Sequence, residues 1–254
     1  MSVLVAENLT KTYGENNGEN ATKALAGVSL SVDEGEFVAI MGPSGSGKST
    51  LVNILSGITV ATSGKVLIAN QQMELLSKDE MARFRRRNIG FVFQEFNLLE
   101  HLTLEENVML PMVLDHRKPE EIRAKVNAVM EFLGITESRN KYPANVSGGQ
   151  QQRTAVARAL INEPDIIFAD EPTGNLDSKS ANAVMRCFDR LNEEKNATIM
   201  MVTHDVFASS FCKRVIFIKD GRVNMEIRRK GKRKEFFDQI LDCQAVVGGE
   251  NLDL

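Results

Sequence analysis

The sequence of 254 residues has no tryptophan and only three cysteines. Cys187, Cys212 and Cys243 lie far apart and lack metal-ligand spacing. They read as buried small apolar residues or free thiols in a reducing setting. No run of eighteen apolar residues occurs, so no segment reads as a membrane span. The opening MSVLVAENLTKTYG is polar and β-like, without a signal-peptide pattern. No charge dominates either. Thirty-one basic residues face 34 acidic ones, for a net charge of −3, which excludes strong nonspecific attraction to nucleic acid. No nucleic-acid partner is expected. Internal repeats and sustained heptads are also missing, which argues against a long coiled coil. What remains is 43% hydrophobic residues, enough for the sizeable core of one large α/β domain or two small ones.

The first forty residues read as short strands, with an exposed loop or hairpin tip at GENNGENATK, residues 14 to 23. FVAIMG (37 to 42) is a buried strand entering a glycine-rich loop. STLVNILSGI then has helical spacing, with Leu51, Ile54, Leu55 and Ile58 on one face. KVLIANQQM and NIGFVFQ are strand candidates, and residues 77 to 87 read as a charged helix capped by Ser77. A helical stretch spans about 103 to 134, opened by a Thr103–Glu106 capping box, with Pro119 in a first turn and Gly134 at the end. IIFAD, TIMMVTH and RVIFIKDG read as buried parallel strands of a βαβ series. The tail from about 225 carries a basic run and then an amphipathic turn; a solvated face is the expected state of the run, with a role near phospholipid head groups or a membrane partner as the lesser reading.

GPSGSGKS fits the pattern G-x-x-x-x-G-K-[ST] between a strand and a helix. Gly42, Pro43, Ser44, Gly45, Ser46 and Gly47 form a loop whose backbone N–H groups converge on phosphate oxygens. Lys48 reaches toward the β- and γ-phosphates, Ser49 offers a hydroxyl to Mg²⁺, and Thr50 adds a bond to phosphate. IIFADE then delivers two acids at a strand end. Asp170 is placed for Mg²⁺ and Glu171 for the attacking water of phosphoryl transfer. Gln94, after NIGFVF, can reach both metal and water. His204, after TIMMVT, can donate to the γ-phosphate. A second glycine loop, VSGGQQQ, opens another helix, so Ser147, Gly148, Gly149 and Gln150 can also face a phosphate.

The set GPSGSGKST, FVFQ, VSGGQQQ, IIFADEPTGNLDS and VTHD, in that order, resembles the nucleotide-binding domain of ATP-binding cassette (ABC) transporters. The resemblance implies an α/β P-loop NTPase of ABC type. Its core sheet is mostly parallel, with an N-terminal antiparallel β subdomain and an inserted helical subdomain at about 96–160. It places the ATP-binding domain at 1–224 and a tail at 225–254. It implies that Ser147 to Gln150 serve the ATP of a second copy, in a head-to-tail homodimer formed with ATP. Tyr13 then stacks on adenine, Asp177 crosses the dimer interface, and Gln94, Glu171 and His204 act in catalysis. Ser49, Gln94 and Asp170 hold Mg²⁺. Val146 replaces the leucine that often precedes SGGQ.

The resemblance further implies a separate permease and a cytoplasmic, peripheral place on the inner membrane face. FQEFNLLEHLTLEENVMLPM and VIFIKDGRV are similar to the subgroup of macrolide-export, lipoprotein-release, cell-division and peptide-antibiotic-resistance ATPases. FFDQILDCQAVVGGE is similar to the bacitracin and lantibiotic resistance branch. The expected function is therefore ATP hydrolysis that powers peptide-antibiotic resistance. Lipoprotein release or cell division is the alternative. A sensor histidine kinase, reached through the permease, is a further expected partner.

Overall fold

A computed structural model describes residues 1–14 and 21–248. Most of the hairpin tip expected at 14 to 23 lies outside these residues. Thr22 and Lys23, at its end, already belong to a strand.

The N-terminal strands are longer than expected. β1 (Ser2–Tyr13) and β2 (Thr22–Asp33) pair antiparallel, with register shifts. β4 (Ser63–Ile68) lies on the other side of β1, and the short β5 (Gln71–Gln72) completes a four-stranded sheet. The apolar run KVLIANQQM is thus a hairpin rather than one strand. Ala69 and Asn70 make its turn at φ 48° and 64°.

The second sheet holds the site. β3 (Phe37–Met41), β6 (Ile89–Val92), β7 (Ile166–Asp170), β8 (Ile199–Val202) and β9 (Arg214–Lys219) are parallel, and β10 (Arg222–Arg228) is antiparallel at one edge. The order is β10-β9-β3-β8-β7-β6. β3 is buried at all five residues, as a strand covered on both faces must be. Its alternation divides the core in two. Val38 and Ile40 pack with the N-terminal sheet and α1 (Lys48–Leu55). Phe37, Ala39 and Met41 pack with the helices of the opposite face. Register places Ile40 beside Val202 and Val202 beside Asp170. The loops leaving β3, β7 and β8 therefore emerge side by side at the carboxyl edge, where open α/β sheets bind ligands.

Leu51, Ile54 and Leu55 are buried on α1 as the spacing predicts. Ile58 is not. The helix ends at Leu55, and Ile58 is 47% exposed. α2 (Lys78–Asn88) starts at the expected Ser77 cap, with Glu80 closing a capping box. The helical stretch at 103 to 134 is two helices, α3 (Leu104–Leu114) and α4 (Pro119–Phe132). The Thr103–Glu106 capping box is present, and Gly134 follows α4 at φ 64°. Between the helices, Pro119 restricts Lys118 to an extended conformation and so starts a new helix rather than continuing the old one.

α5 (Gly148–Leu160) and α6 (Ser178–Lys195) complete the layer over Phe37. Phe188 of α6 is fully buried, with its ring centroid 6.3 Å from that of Phe37. Phe188→Ala should cost about 3–5 kcal/mol by leaving a cavity. Urea unfolding followed by far-UV circular dichroism measures it.

The chain beyond 224 continues this body. β10 runs across that position, and the tail forms α8 (Arg233–Gly248), a full helix where only an amphipathic turn was expected. Its Phe236, Ile240 and Val247 join the core cluster of Phe188. Lys230, Lys232, Arg233 and Lys234 are exposed, in keeping with the solvated face expected of the basic run.

Candidate active site

The loop after β3 is shaped by glycine. Gly42 has φ 150°, and a Cβ there would lie 2.0 Å from the Ile218 carbonyl oxygen. Gly47 has φ 99°, and its Cβ would meet the Ala24 carbonyl oxygen at 2.4 Å. Neither position takes a side chain. Gly45 has φ 77° with open space around it. The loop is thus pinned from behind by backbone and left bare in front. Gly47 leads directly into α1, so the helix N-terminus, with its positive partial charge, faces the loop.

Lys48 lies folded over the loop. Its Nζ donates to the carbonyls of Gly42 at 2.9 Å and Pro43 at 2.8 Å. Burial pushes its ammonium below the usual lysine value, while Glu171 and Asp170 act against that. Ser46 Oγ is buried with no hydrogen-bond partner. A bare cradle, a half-buried cation and an orphaned hydroxyl fit a phosphate chain.

β7 ends at Asp170, and Glu171 follows it. Burial raises the Asp170 carboxyl above its ordinary range; Glu171 adds to the rise and Lys48 opposes it. Glu171 sits at φ 45°, an uncommon conformation for a non-glycine residue, and its N–H donates to the Val202 carbonyl at 2.8 Å. Its carboxylate turns toward the end of β8. Thr203 Oγ1 donates to Oε2 at 3.1 Å, and the His204 N–H donates to Oε1 at 3.2 Å. His204 Nδ1 lies 2.8 Å from Oε1. The imidazole is largely exposed, so only its Glu171 side is held.

Pro43, Ser44, Lys48, Glu171 and His204 line one cavity of about 690 Å³. Three loops supply them, the first more than a hundred residues before the other two in sequence. Among the described residues, no group of three or more His, Cys, Asp or Glu side chains is placed to cage a metal. Asp170 with the Ser49 hydroxyl suits Mg²⁺ instead, which keeps waters and uses substrate phosphates as ligands.

Other expected residues lie apart. Tyr13 ends β1 and is 44% exposed, with Lys11 Nζ 5.1 Å from its ring centre. Gln94 reaches Asn175 in the loop after β7: its Nε2 donates to Asn175 Oδ1 at 3.3 Å, and Asn175 Nδ2 donates back to the Gln94 carbonyl at 3.2 Å. Asp177 caps α6, accepting from the N–H groups of Lys179 and Ser180 at 3.0 Å each. The Ser180 hydroxyl, and after it those bonds, hold its carboxyl below the usual range.

The second glycine loop does not line the cavity of its own chain. Ser147 is the exposed N-cap of α5, in a capping box with Gln150. The helix begins at Gly148, two residues before QQQ, so both glycines are its first turn. Gly148 faces Leu176, and Gly149 faces Ser180, beside Asp177. The three glutamines have separate tasks. Gln150 Nε2 donates to Ser138 Oγ at 2.9 Å, and Gln151 Nε2 to the Pro143 carbonyl at 3.0 Å. Gln152 is fully buried, and its Nε2 donates to the Pro172 carbonyl at 2.7 Å and that of Phe93 at 3.3 Å.

Sequence reasoning missed Thr203, Asn175, Gln152 and the residues of α8. Thr203 directly precedes His204 and Gln152 ends the VSGGQQQ stretch, so proximity was a usable signal for both. Gln244 of α8, whose Nε2 donates to the His204 carbonyl at 3.4 Å, had none.

The fold, the loop and the paired acids define a P-loop ATPase. The ABC transporter family model matches residues 25–174, and the chain belongs to that family. It is 52% identical over 250 residues to the uncharacterized ABC transporter ATP-binding protein YvcR of Bacillus subtilis, covering 98% of this chain and 96% of that one. It is 46% identical to the bacitracin export ATP-binding protein BceA of Halalkalibacterium halodurans, across the whole of both chains. A dimeric structure of the ATP-binding cassette MJ0796, in a post-hydrolysis state bound to ADP and Pi, superposes with a TM-score of 0.81 at 45% identity. It covers 90% of this chain and 100% of that one.

Proposed function

We propose that this ATPase powers a separate membrane permease that protects cells from peptide antibiotics of the bacitracin and lantibiotic type. The match over both full lengths to a bacitracin-export relative supports the substrate class, since it includes the tail as well as the motifs. No helix among the described residues is long and apolar enough to cross a membrane; we assign the membrane work to a partner chain. The protein would sit at the cytoplasmic face, and the permease would connect it to a sensor histidine kinase.

The observation that carries the catalytic proposal is the convergence of Lys48, Glu171 and His204 on one cavity. Tyr13 packs on the adenine. The Gly42–Gly47 loop binds the phosphate chain with Ser49 and Thr50. Lys48 leaves the Gly42 and Pro43 carbonyls for the β- and γ-phosphates. Asp170, Ser49 and Gln94 hold Mg²⁺, which neutralises charge on the phosphates when bound. Glu171 orients the attacking water and accepts its hydrogen bond. His204, held by Glu171, donates to the γ-phosphate. A second copy supplies Ser147, Gly148, Gly149 and Gln150 over the same ATP, with Asp177 at the crossing. ATP then bridges two copies head to tail, and its loss on hydrolysis releases them.

Lys48→Ala should weaken ATP binding about 10- to 100-fold, since a charge-assisted bond to phosphate is lost. Titration with a fluorescent ATP analogue measures this, and unchanged affinity removes Lys48 from the site.

A growth assay tests the biological role. Cells lacking the gene are complemented with wild type or Glu171→Gln and challenged with bacitracin, a nisin-like lantibiotic and a macrolide. Restoration of peptide resistance by wild type alone is the expected result. Identical growth of both strains under every drug would refute it and leave lipoprotein release or cell division as the function.

A further inference from the structure

The cavity in front of the glycine loop has a second wall that the ATPase motifs do not account for. Pro43, Lys48 and His204 line one side, and Leu241, Asp242 and Gln244 of α8 line the other. The helix reaches this place for a packing reason. β10 carries the chain away from the loop, antiparallel to β9, and α8 brings it back. Phe236, Ile240 and Val247 fasten α8 to the core, and the Arg233 guanidinium lies 4.1 Å from the ring centre of Phe211. The helix therefore packs on α7 (Val206–Ser209), the turn that directly follows His204.

The lining itself suits a resting state. Asp242 is exposed and acidic and faces a cavity that fits a polyanion. A carboxylate there repels phosphate, whereas Lys48 opposite attracts it. Leu241 is 51% exposed, an apolar side chain left at the rim of a charged site. Gln244 Nε2 donates to the His204 carbonyl at 3.4 Å, which ties the His204 segment to α8 while the imidazole rests on Glu171.

We propose that α8 is a built-in brake. Docked as observed, it narrows the mouth of the nucleotide cavity, repels the phosphate chain through Asp242 and holds the His204 segment back through Gln244. Closure of a second copy over ATP requires α8 to yield. Gln244 is thus a positioning residue acting through His204. A partner that draws α8 aside raises turnover without touching the catalytic groups. The proposal rests on the reading that ATP binds in this cavity and is closed over by a second copy.

The test uses Asp242→Asn, Gln244→Ala and the double variant in the full chain carrying Glu171→Gln. These changes spare the buried anchors of α8, which truncation would strip from the core. ATP-dependent dimerisation is followed by light scattering against ATP concentration, with thermal unfolding in parallel. The double variant should reach half-maximal dimer at an ATP concentration lower by about fivefold or more, the range of ordinary coupling between sites, at unchanged Tm. Dimerisation at the same or a higher ATP concentration overturns the brake. A fall in Tm without easier dimerisation also overturns it, since α8 would then only buttress α7. Monomer binding of a fluorescent ATP analogue by Lys48→Ala separates the two readings. If that binding matches wild type, the nucleotide-site reading fails first.

Discussion

Glu171→Gln should bind ATP, form a stable dimer and hydrolyse about 10²- to 10⁴-fold more slowly, the usual contribution of a positioned general base. The residue sits where β7 ends, with its carboxylate held by Thr203, by the His204 N–H and by the His204 ring. An amide of the same shape can still accept from the His204 N–H through its oxygen, while its NH₂ can donate to the Thr203 hydroxyl, which reverses that bond. It accepts weakly from water and carries no charge to polarise it. The structural change is therefore small and the chemical one large. Losing the charge also removes one cause of the raised Asp170 carboxyl, so the aspartate ionises more readily beside Lys48. Binding of ATP should accordingly hold or improve while turnover collapses. Single-turnover release of phosphate, measured beside ATP affinity, separates the two effects. Wild-type turnover would remove Glu171 from the reaction.

Ser147→Arg should abolish hydrolysis while leaving ATP binding by the monomer intact. Ser147 lies outside the cavity of its own chain, so the new side chain meets nothing there. It sits at the exposed start of α5, where it accepts the Gln150 N–H at 3.3 Å. Losing that cap costs about 1 kcal/mol of stability, which the fold can absorb. The larger effect falls on the phosphate of the second copy. A bulky charged side chain replaces a small hydroxyl, beside the two glycines, where the proposed dimer brings the copies together. Steady-state ATPase activity and monomer ATP titration together distinguish this from a folding defect.

Much of the site was legible because its residues follow strands. FVAIM, IIFA and IMMV are unbroken apolar runs, and a parallel sheet buries such runs and exposes whatever follows them. Register then brings the three following segments together. Helix starts were legible for a local reason: Ser77 with Glu80 and Thr103 with Glu106 satisfy backbone groups within four residues. What failed was non-local or depended on where an element stops. Ile58 has the right spacing but lies beyond the end of α1. α8 looked like a solvated tail because Phe236, Ile240 and Val247 are spaced among charges and small residues, and only the core formed by distant elements makes them an anchor. The Gln244 bond to the His204 carbonyl spans forty residues and has no sequence pattern at all.

The most direct test of a site shared between two copies is to mix Ser147→Arg with Lys48→Ala, each inactive alone. Such a mixed dimer has one site with both defects and one with neither. ATPase activity should return, to no more than about a quarter of the wild-type rate for random pairing with one working site in half of the dimers. Activity that stays at the level of the separate variants, while light scattering shows that mixed dimers form, would contradict a site completed by the second copy.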